Sequence, residues 1–293
     1  FTPQNEGDIP ALQRLVDWYI ANNASGLFAV CQSSEMFFLS LRERVEVASA
    51  VVRFAAGRVP VIASGHISDA PEAQAEEILA ISQTGVDAVV LITNRLARQE
   101  ESDDIWLSRL HSLLARIPAD VKLGFYECPY PYKRVLTPEL ARACAQTGRF
   151  YFLKDTSCDI RNIRGKLRAI EGTPMKLYNA NTATLLASLQ DGAAGYSGVM
   201  ANMQCALYAE LCRSFRDETL LALSDALTLC ALIERQCYPV NAKFYLQQLE
   251  NVPMTTACRV RPDSELTETF REETRMLARV TARLNERFLP VVR

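Results

Sequence analysis

Along the first two thirds of the chain, short and nearly all-apolar runs alternate with longer stretches whose apolar residues recur every three or four positions. Residues 27–31 are the first complete run of this kind. Ser40 and Glu43 then form a capping box for a helix whose Leu41, Val45, Ala48 and Val52 share one face. The pattern repeats at 59–63, after which Asp69, Pro71 and Glu72 open a helix running through Ile78 and Ile81. Further strand-like runs fall at 88–92, 121–126, 150–154, 175–178 and 193–196. Helical stretches follow at 103–116, from Thr137-Pro138-Glu139 onward, at 182–189 and at 202–215.

From Leu27 this makes seven strand-helix units, and Phe1-Thr2-Pro3 as the end of an opening strand, with a helix over 9–22, makes eight. Strands apolar on both faces and joined by short connections predict a (β/α)8 TIM barrel, an α/β fold, over an open doubly wound sheet. No Gly-x-Gly-x-x-Gly follows the first complete strand, and Gly192, Gly195 and Gly198 have the wrong spacing for a dinucleotide loop. Close packing around a short strand explains those glycines. Beyond Arg216 three helical stretches follow with no strand between them. Leu220, Leu223, Leu227 and Cys230 make one apolar stripe, and Phe270, Leu277, Val280 and Leu284 another. The expected organisation is therefore a catalytic barrel over 1–215 and a C-terminal three-helix extension over 216–293, packed on the barrel or on a neighbouring subunit.

The composition of the 293 residues, 49% apolar and 23% charged, is that of a globular protein with a sizeable core. The net charge of −2 comes with no basic cluster interleaved with aromatics, so no nucleic-acid partner is expected. Nine cysteines without a C-x-x-C pair suggest neither a disulfide framework nor a zinc site, and read as reduced thiols of a cytoplasmic protein. No apolar run is long enough to span a bilayer, so no membrane partner is expected.

In a barrel of this kind the chemistry sits at the C-terminal ends of the strands. Those ends are Cys31-Gln32-Ser33-Ser34-Glu35, Ser64-Gly65-His66, Thr93-Asn94-Arg95, Tyr126-Glu127-Cys128-Pro129, Lys154-Asp155, Asn179-Ala180-Asn181 and Tyr196-Ser197-Gly198. Lys154 stands out because an aromatic, apolar run ends in its ammonium. An amine held near an apolar core loses hydration, its neutral form becomes accessible, and a neutral amine attacks carbonyls to form Schiff bases. On these residues alone the ordinary reading is a strand-end lysine whose head reaches solvent. Tyr126, one strand away, places a phenol near that amine to shuttle protons. Ser33 and Ser34 offer hydroxyls and amides suited to a carboxylate, or simply a turn before a helix. His66 faces the mouth, to bind a substrate hydroxyl or to make a structural hydrogen bond. With His66 and His111 the only histidines and no paired ligand spacing, a metal-dependent or thiol-nucleophile enzyme is disfavoured, and no cofactor or metal is expected.

Taken in order, Thr2-Pro3 with Gly7 and Asp8, Gln32 to Glu35 before Leu39 and Glu43, Pro60 to Gly65, Gly85 with Asp87, Tyr126 with Pro129, Lys154-Asp155, Asp191-Gly192 with Gly195, and Asn202 resemble the dihydrodipicolinate synthase and N-acetylneuraminate lyase superfamily of class I aldolases over nearly the whole chain. The resemblance implies that Lys154 forms a Schiff base with pyruvate or another 2-oxo acid and that Tyr126 donates and accepts protons. It further implies that Ser33 and Ser34 hold the substrate carboxylate, with Gln32 in the same loop, and that the backbone at Ala180 and Ser197 lines the pocket around the imine. A homo-oligomer, tetramer or dimer, is the corresponding assembly.

Three departures qualify it. The family loop usually reads Gly-Thr-Thr-Gly-Glu or Gly-Ser-Thr-Gly-Glu, whereas this chain has Cys31 to Glu35 with an amide in place of a hydroxyl and neither glycine. Thr93 to Leu96 lacks the tyrosine that completes a relay between subunits, and Pro131 stands where a substrate-binding arginine belongs. The expectation is a lyase that joins or cleaves a carbon–carbon bond between pyruvate and an aldehyde, on a 2-keto-3-deoxy sugar acid or related 2-oxo acid, rather than a dihydrodipicolinate synthase. Arg95, Lys133 and Arg134 could bind a second anionic group. A sugar-acid dehydratase using the same imine, or a non-catalytic 2-oxo acid binding protein, are the alternatives.

Overall fold

The computed structural model describes residues 1–290. Seven strands, β1 (Leu27–Phe28), β2 (Val61–Ser64), β3 (Ala88–Ile92), β4 (Leu123–Tyr126), β5 (Phe150–Asp155), β6 (Lys176–Asn179) and β7 (Gly195–Tyr196), form one parallel sheet in sequential order. Helices α1 (Ile9–Ala21), α2 (Leu41–Ala55), α3 (Pro71–Ser82), α4 (Asp103–Leu114), α5 (Pro138–Gln146), α6 (Ile160–Ala169), α7 (Leu185–Gln190) and α8 (Ala201–Ser214) alternate with them. The helix starts follow local chemistry. Ser40 and Glu43 form the capping box of α2, while Ser102, Thr137 and Asp159 cap α4, α5 and α6, each accepting an orphan N–H of the first turn.

The opening strand expected at Phe1-Thr2-Pro3 is not formed. Thr2 donates to the Glu6 carbonyl (2.8 Å) and Asn5 to the Thr2 carbonyl (2.9 Å), so the segment closes on itself as a turn, with Asn5 at φ 63°. Pro3 has no N–H to give to a ladder. Among the described residues the count is thus seven strands, and Lys154 lies on the fifth, β5. Among the described residues no ladder joins β7 to β1. The space between these edges is a cavity of about 350 Å³ lined by Val16, Leu27 and Phe28 on one side and Tyr196 and Ser197 on the other.

β3, β4 and β5 form the tightest part of the sheet. All of β3 is buried, and Phe125 stacks on Phe150 with ring centroids 4.2 Å apart. Gly124 is required here, because a side chain would meet the Phe152 Cβ at 2.9 Å and push the two strands apart just below Tyr126. After α8 come α9 (Leu221–Cys230), α10 (Val240–Leu249) and α11 (Glu268–Phe288). Leu223, Leu227, Tyr245 and Leu277 from these helices share a core with Leu185, Leu189, Leu207 and Leu211 of α7 and α8. Burying that apolar surface holds the C-terminal helices against the end of the barrel chain.

Candidate active site

β4 and β5 pair in register so that Tyr126 lies opposite Lys154. Only 8% of Lys154 is exposed, and its Nζ sits 4.6 Å from the centroid of the Tyr126 ring and 5.7 Å from that of Phe28. No carboxylate pairs with it among the described residues. Burial therefore lowers its pKa from the ordinary 10.5, and the weaker pull of Cys31, Cys128 and Glu234 in the other direction does not restore it. The two aromatic faces favour the cation only modestly. An amine in this state is easily made neutral, as imine formation requires.

Tyr126 is equally buried, and burial pushes its phenol well above 10. Its hydroxyl donates to Gln32 Oε1 at 3.4 Å, and the Cys128 thiol approaches the same oxygen at 3.6 Å. Gln32, in a single 3-10 turn after β1, thus reaches the phenol with the amide that stands in this loop in place of a hydroxyl. Burial raises the Cys128 thiol to about 11, so it stays protonated at neutral pH and is a poor nucleophile.

The serines behind Gln32 have different surroundings. Ser34 Oγ accepts from the Cys31 N–H (2.8 Å) and donates to the Cys31 carbonyl (3.0 Å), so its hydroxyl closes its own turn. Ser33 lines the cavity together with Tyr238, whose phenol accepts from Asn202 Nδ2 at 2.9 Å; Asn202 Oδ1 accepts in turn from Tyr19 at 2.6 Å. Lys154, Ser33, Ser34, Tyr196, Ser197 and Tyr238 all line the cavity between β1 and β7. Glu35, in the left-handed region at φ 60°, also lines this cavity and accepts from Lys243 Nζ and from the N–H groups of Arg259 and Val260.

The remaining candidates separate. The N–H groups of Ala180 and Ser197 extend the ladder to the carbonyls of Asp155 (2.9 Å) and Asn179 (2.8 Å); Ser197 lines the cavity between β1 and β7, and Ala180 is not among the described residues that line it. His66 is fully buried, its Nε2 accepts the Ile92 N–H at 3.2 Å, and burial lowers its pKa to about 4. Of its two readings this geometry matches the structural hydrogen bond. Arg134 donates to the carbonyls of Arg98 and Glu101 and pairs with Asp103, Arg95 pairs with Asp69, and Lys133 donates to the Thr156 carbonyl. Arg95 and Arg134 are each paired with a carboxylate, while among the described residues the ammonium of Lys133 meets only that carbonyl.

Sequence reasoning missed Tyr238, which reaches the site from the C-terminal segment, and a fully buried cluster of Glu127, Asp155 and Lys166 behind the strand ends. A signal for the latter was present. Glu127 and Asp155 directly follow Tyr126 and Lys154 in the chain, at strand ends where ionised side chains are rare unless paired.

The sequence model of the dihydrodipicolinate synthetase family matches residues 1–280. The chain belongs to that family. Its members are lyases of the class I aldolase type, and this chain is an enzyme of that type. The 4-hydroxy-tetrahydrodipicolinate synthase of Ruegeria pomeroyi is 30% identical over 222 residues, 75% of this chain and 73% of the relative. That of Shewanella denitrificans is 27% identical over 282 residues, 92% of each chain. Among solved structures, a chloride-inhibited dihydrodipicolinate synthase from Acinetobacter baumannii complexed with pyruvate superposes with a TM-score of 0.83 at 21% identity, covering 95% of this chain and 94% of the other. The Escherichia coli K12 prophage protein YagE, in complex with pyruvate, does so with a TM-score of 0.84 at 19% identity, covering 96% and 95%. These two show that the fold is shared.

Proposed function

We propose that the chain forms a Schiff base between Lys154 and pyruvate or a related 2-oxo acid, and makes or breaks the carbon–carbon bond to an aldehyde. The substrate is a 2-keto-3-deoxy sugar acid or a close relative, and the reaction differs from that of its relatives named 4-hydroxy-tetrahydrodipicolinate synthase. The carrying observation is a desolvated lysine without a counter-ion, in register with a buried tyrosine. The neutral amine adds to the ketone carbon, Tyr126 moves the proton that lets the carbinolamine lose water, and the protonated imine accepts the electrons released when C3–C4 breaks. In the synthetic direction the enamine attacks the aldehyde. Ser33 and Ser197 border the pocket, and Gln32 orients the phenol.

Three features support a different substrate from that of the named relatives. Gln32, an amide where the family loop usually has a hydroxyl, meets Tyr126, no tyrosine follows β3, and Arg134 is bound to Arg98, Glu101 and Asp103. The same reading includes a cytoplasmic location, which nine free thiols support, and a homo-oligomer, which the exposed Leu221, Leu229, Leu232 and Met276 support. Incubation with pyruvate and borohydride is expected to add one reduced pyruvate adduct, mapped to Lys154 by peptide mass analysis. A panel of 2-keto-3-deoxy sugar acids is expected to release pyruvate. An unmodified Lys154 overturns the imine, and a dehydrated product without pyruvate overturns the aldolase in favour of a dehydratase.

A further inference from the structure

Directly behind the reacting pair lies a cluster that the chemistry above does not use. Lys166 of α6 is wholly buried and its Nζ binds both Glu127 and, at 2.6 Å, Asp155 Oδ2; both carboxylates are wholly buried as well. Adjacent residues on a strand point to opposite faces, so the cluster backs the sheet while Tyr126 and Lys154 project inward. Two carboxylates face one ammonium, leaving one negative charge in excess.

Burying such a group is costly unless every carboxylate oxygen finds a donor. Each does. Glu127 Oε1 accepts from the Leu136 N–H (2.9 Å) as well as from Lys166, and Oε2 accepts from the Thr156 N–H (2.9 Å). Asp155 Oδ1 accepts from the Ser157 N–H (2.9 Å) and hydroxyl (2.7 Å). Burial and the nearby Asp155 charge push the Glu127 carboxyl upward, and Lys166 opposes them.

The backbone closes the arrangement. The Glu127 N–H donates to the carbonyl of Lys154 itself (3.2 Å), and the Thr156 hydroxyl donates to the carbonyl of Glu127 (2.6 Å). One residue beyond each reacting side chain, the ends of β4 and β5 are therefore tied to each other, to the loop after each strand and to α6.

We infer that Glu127, Asp155 and Lys166 are positioning residues that fix the Tyr126 phenol against the Lys154 amine. The inference rests on the proposed roles of that pair. An ion cluster used in this way contributes less net stability than its number of contacts suggests, and more uniqueness of geometry. An amine and a phenol 4.6 Å apart, amine to ring centroid, tolerate little drift before proton transfer slows.

The test uses Lys166→Met, which removes the shared ammonium, and Glu127→Gln, which keeps the shape but turns one accepting oxygen toward a donor as an amide. Two rates are measured on the full chain: pyruvate trapping at Lys154 by borohydride, and acetylation of Lys154 by acetic anhydride, read by peptide mass analysis without any substrate. Both variants are expected to lose about tenfold or more in the maximal trapping rate, with the pyruvate concentration for half-saturation within about twofold of the parent. The acetylation rate is expected to change by at least about threefold, and Lys166→Met combined with Glu127→Gln is expected to recover part of both losses by removing one unpaired charge. If Lys166→Met does not fold, Glu127→Gln decides alone. Parental trapping and acetylation rates in a folded Glu127→Gln protein would overturn the inference. If the parent itself does not trap pyruvate, the imine reading fails, and acetylation still reports whether the cluster sets the surroundings of Lys154.

Discussion

Lys154 and Lys166 are both buried lysines, and they lie on opposite sides of β5. Lys166 has two carboxylates on its ammonium; Lys154 has none, and two aromatic rings instead. Burial is common to both, so burial alone does not make a lysine reactive. The counter-ion decides. Where carboxylates compensate the charge, the ammonium is fixed and inert; where they are missing, desolvation lowers the pKa and the amine is released for chemistry.

The comparison breaks most sharply on stability. Lys166→Met strands two carboxylates in the core and is expected to cost about 3–5 kcal/mol, the usual penalty for removing one partner of a buried ion pair. Lys154→Met removes an uncompensated ammonium, and it is expected to leave stability unchanged or raise it by about 1 kcal/mol. Urea unfolding of the two variants beside the parent measures both. Equal losses would mean that Lys154 has a compensating partner.

On the catalytic side the effect is smaller. Tyr126→Phe keeps the ring against Lys154 and removes only the hydroxyl that donates to Gln32. It is expected to slow trapping of pyruvate by about 100-fold while the lysine remains modifiable. Stopped borohydride trapping at saturating pyruvate is the measurement, and a loss under about threefold would assign the proton transfers to another group.

Of the two lysines, only one was legible in the sequence. The run 150–154 ends in a charge at the mouth of an alternating strand-helix pattern, and the pattern itself predicted every strand from β1 to β7 and most helix starts. Lys166 sits within a short amphipathic helix rich in basic residues, where an exposed lysine is the ordinary case. Its partners are 39 and 11 positions away in the chain, a spacing that only the pairing of β4 with β5 brings together. The eighth strand failed for a comparable reason, since Thr2-Pro3 has extended-chain composition but Asn5 and Glu6 offer it nearer partners. For His66 position alone suggested function, and the Ile92 N–H that occupies its ring nitrogen comes from a neighbouring strand. Gln32 was placed correctly in the loop after β1, yet its contact to Tyr126 spans 94 positions and required the fold.

The smallest effect tests the lowered pKa of Lys154 directly. In the unfolded chain this amine titrates near 10.5, and in the folded protein it titrates lower because of burial. Below the folded value both states are protonated, and the folded state bears the full cost of holding the charge. Between the two values the unfolded chain binds more protons, so stability rises with pH; above 10.5 both amines are neutral and the cost has gone. One such group adds a slope of at most about 1.4 kcal/mol per pH unit within that window. As pH rises toward 10.5, urea midpoints are therefore expected to climb more steeply for the parent than for Lys154→Met, and the two slopes to become equal once the pH is below the folded value. Parallel curves across the window would mean that Lys154 titrates as an ordinary surface amine, and the contrast with Lys166 would then rest on geometry alone.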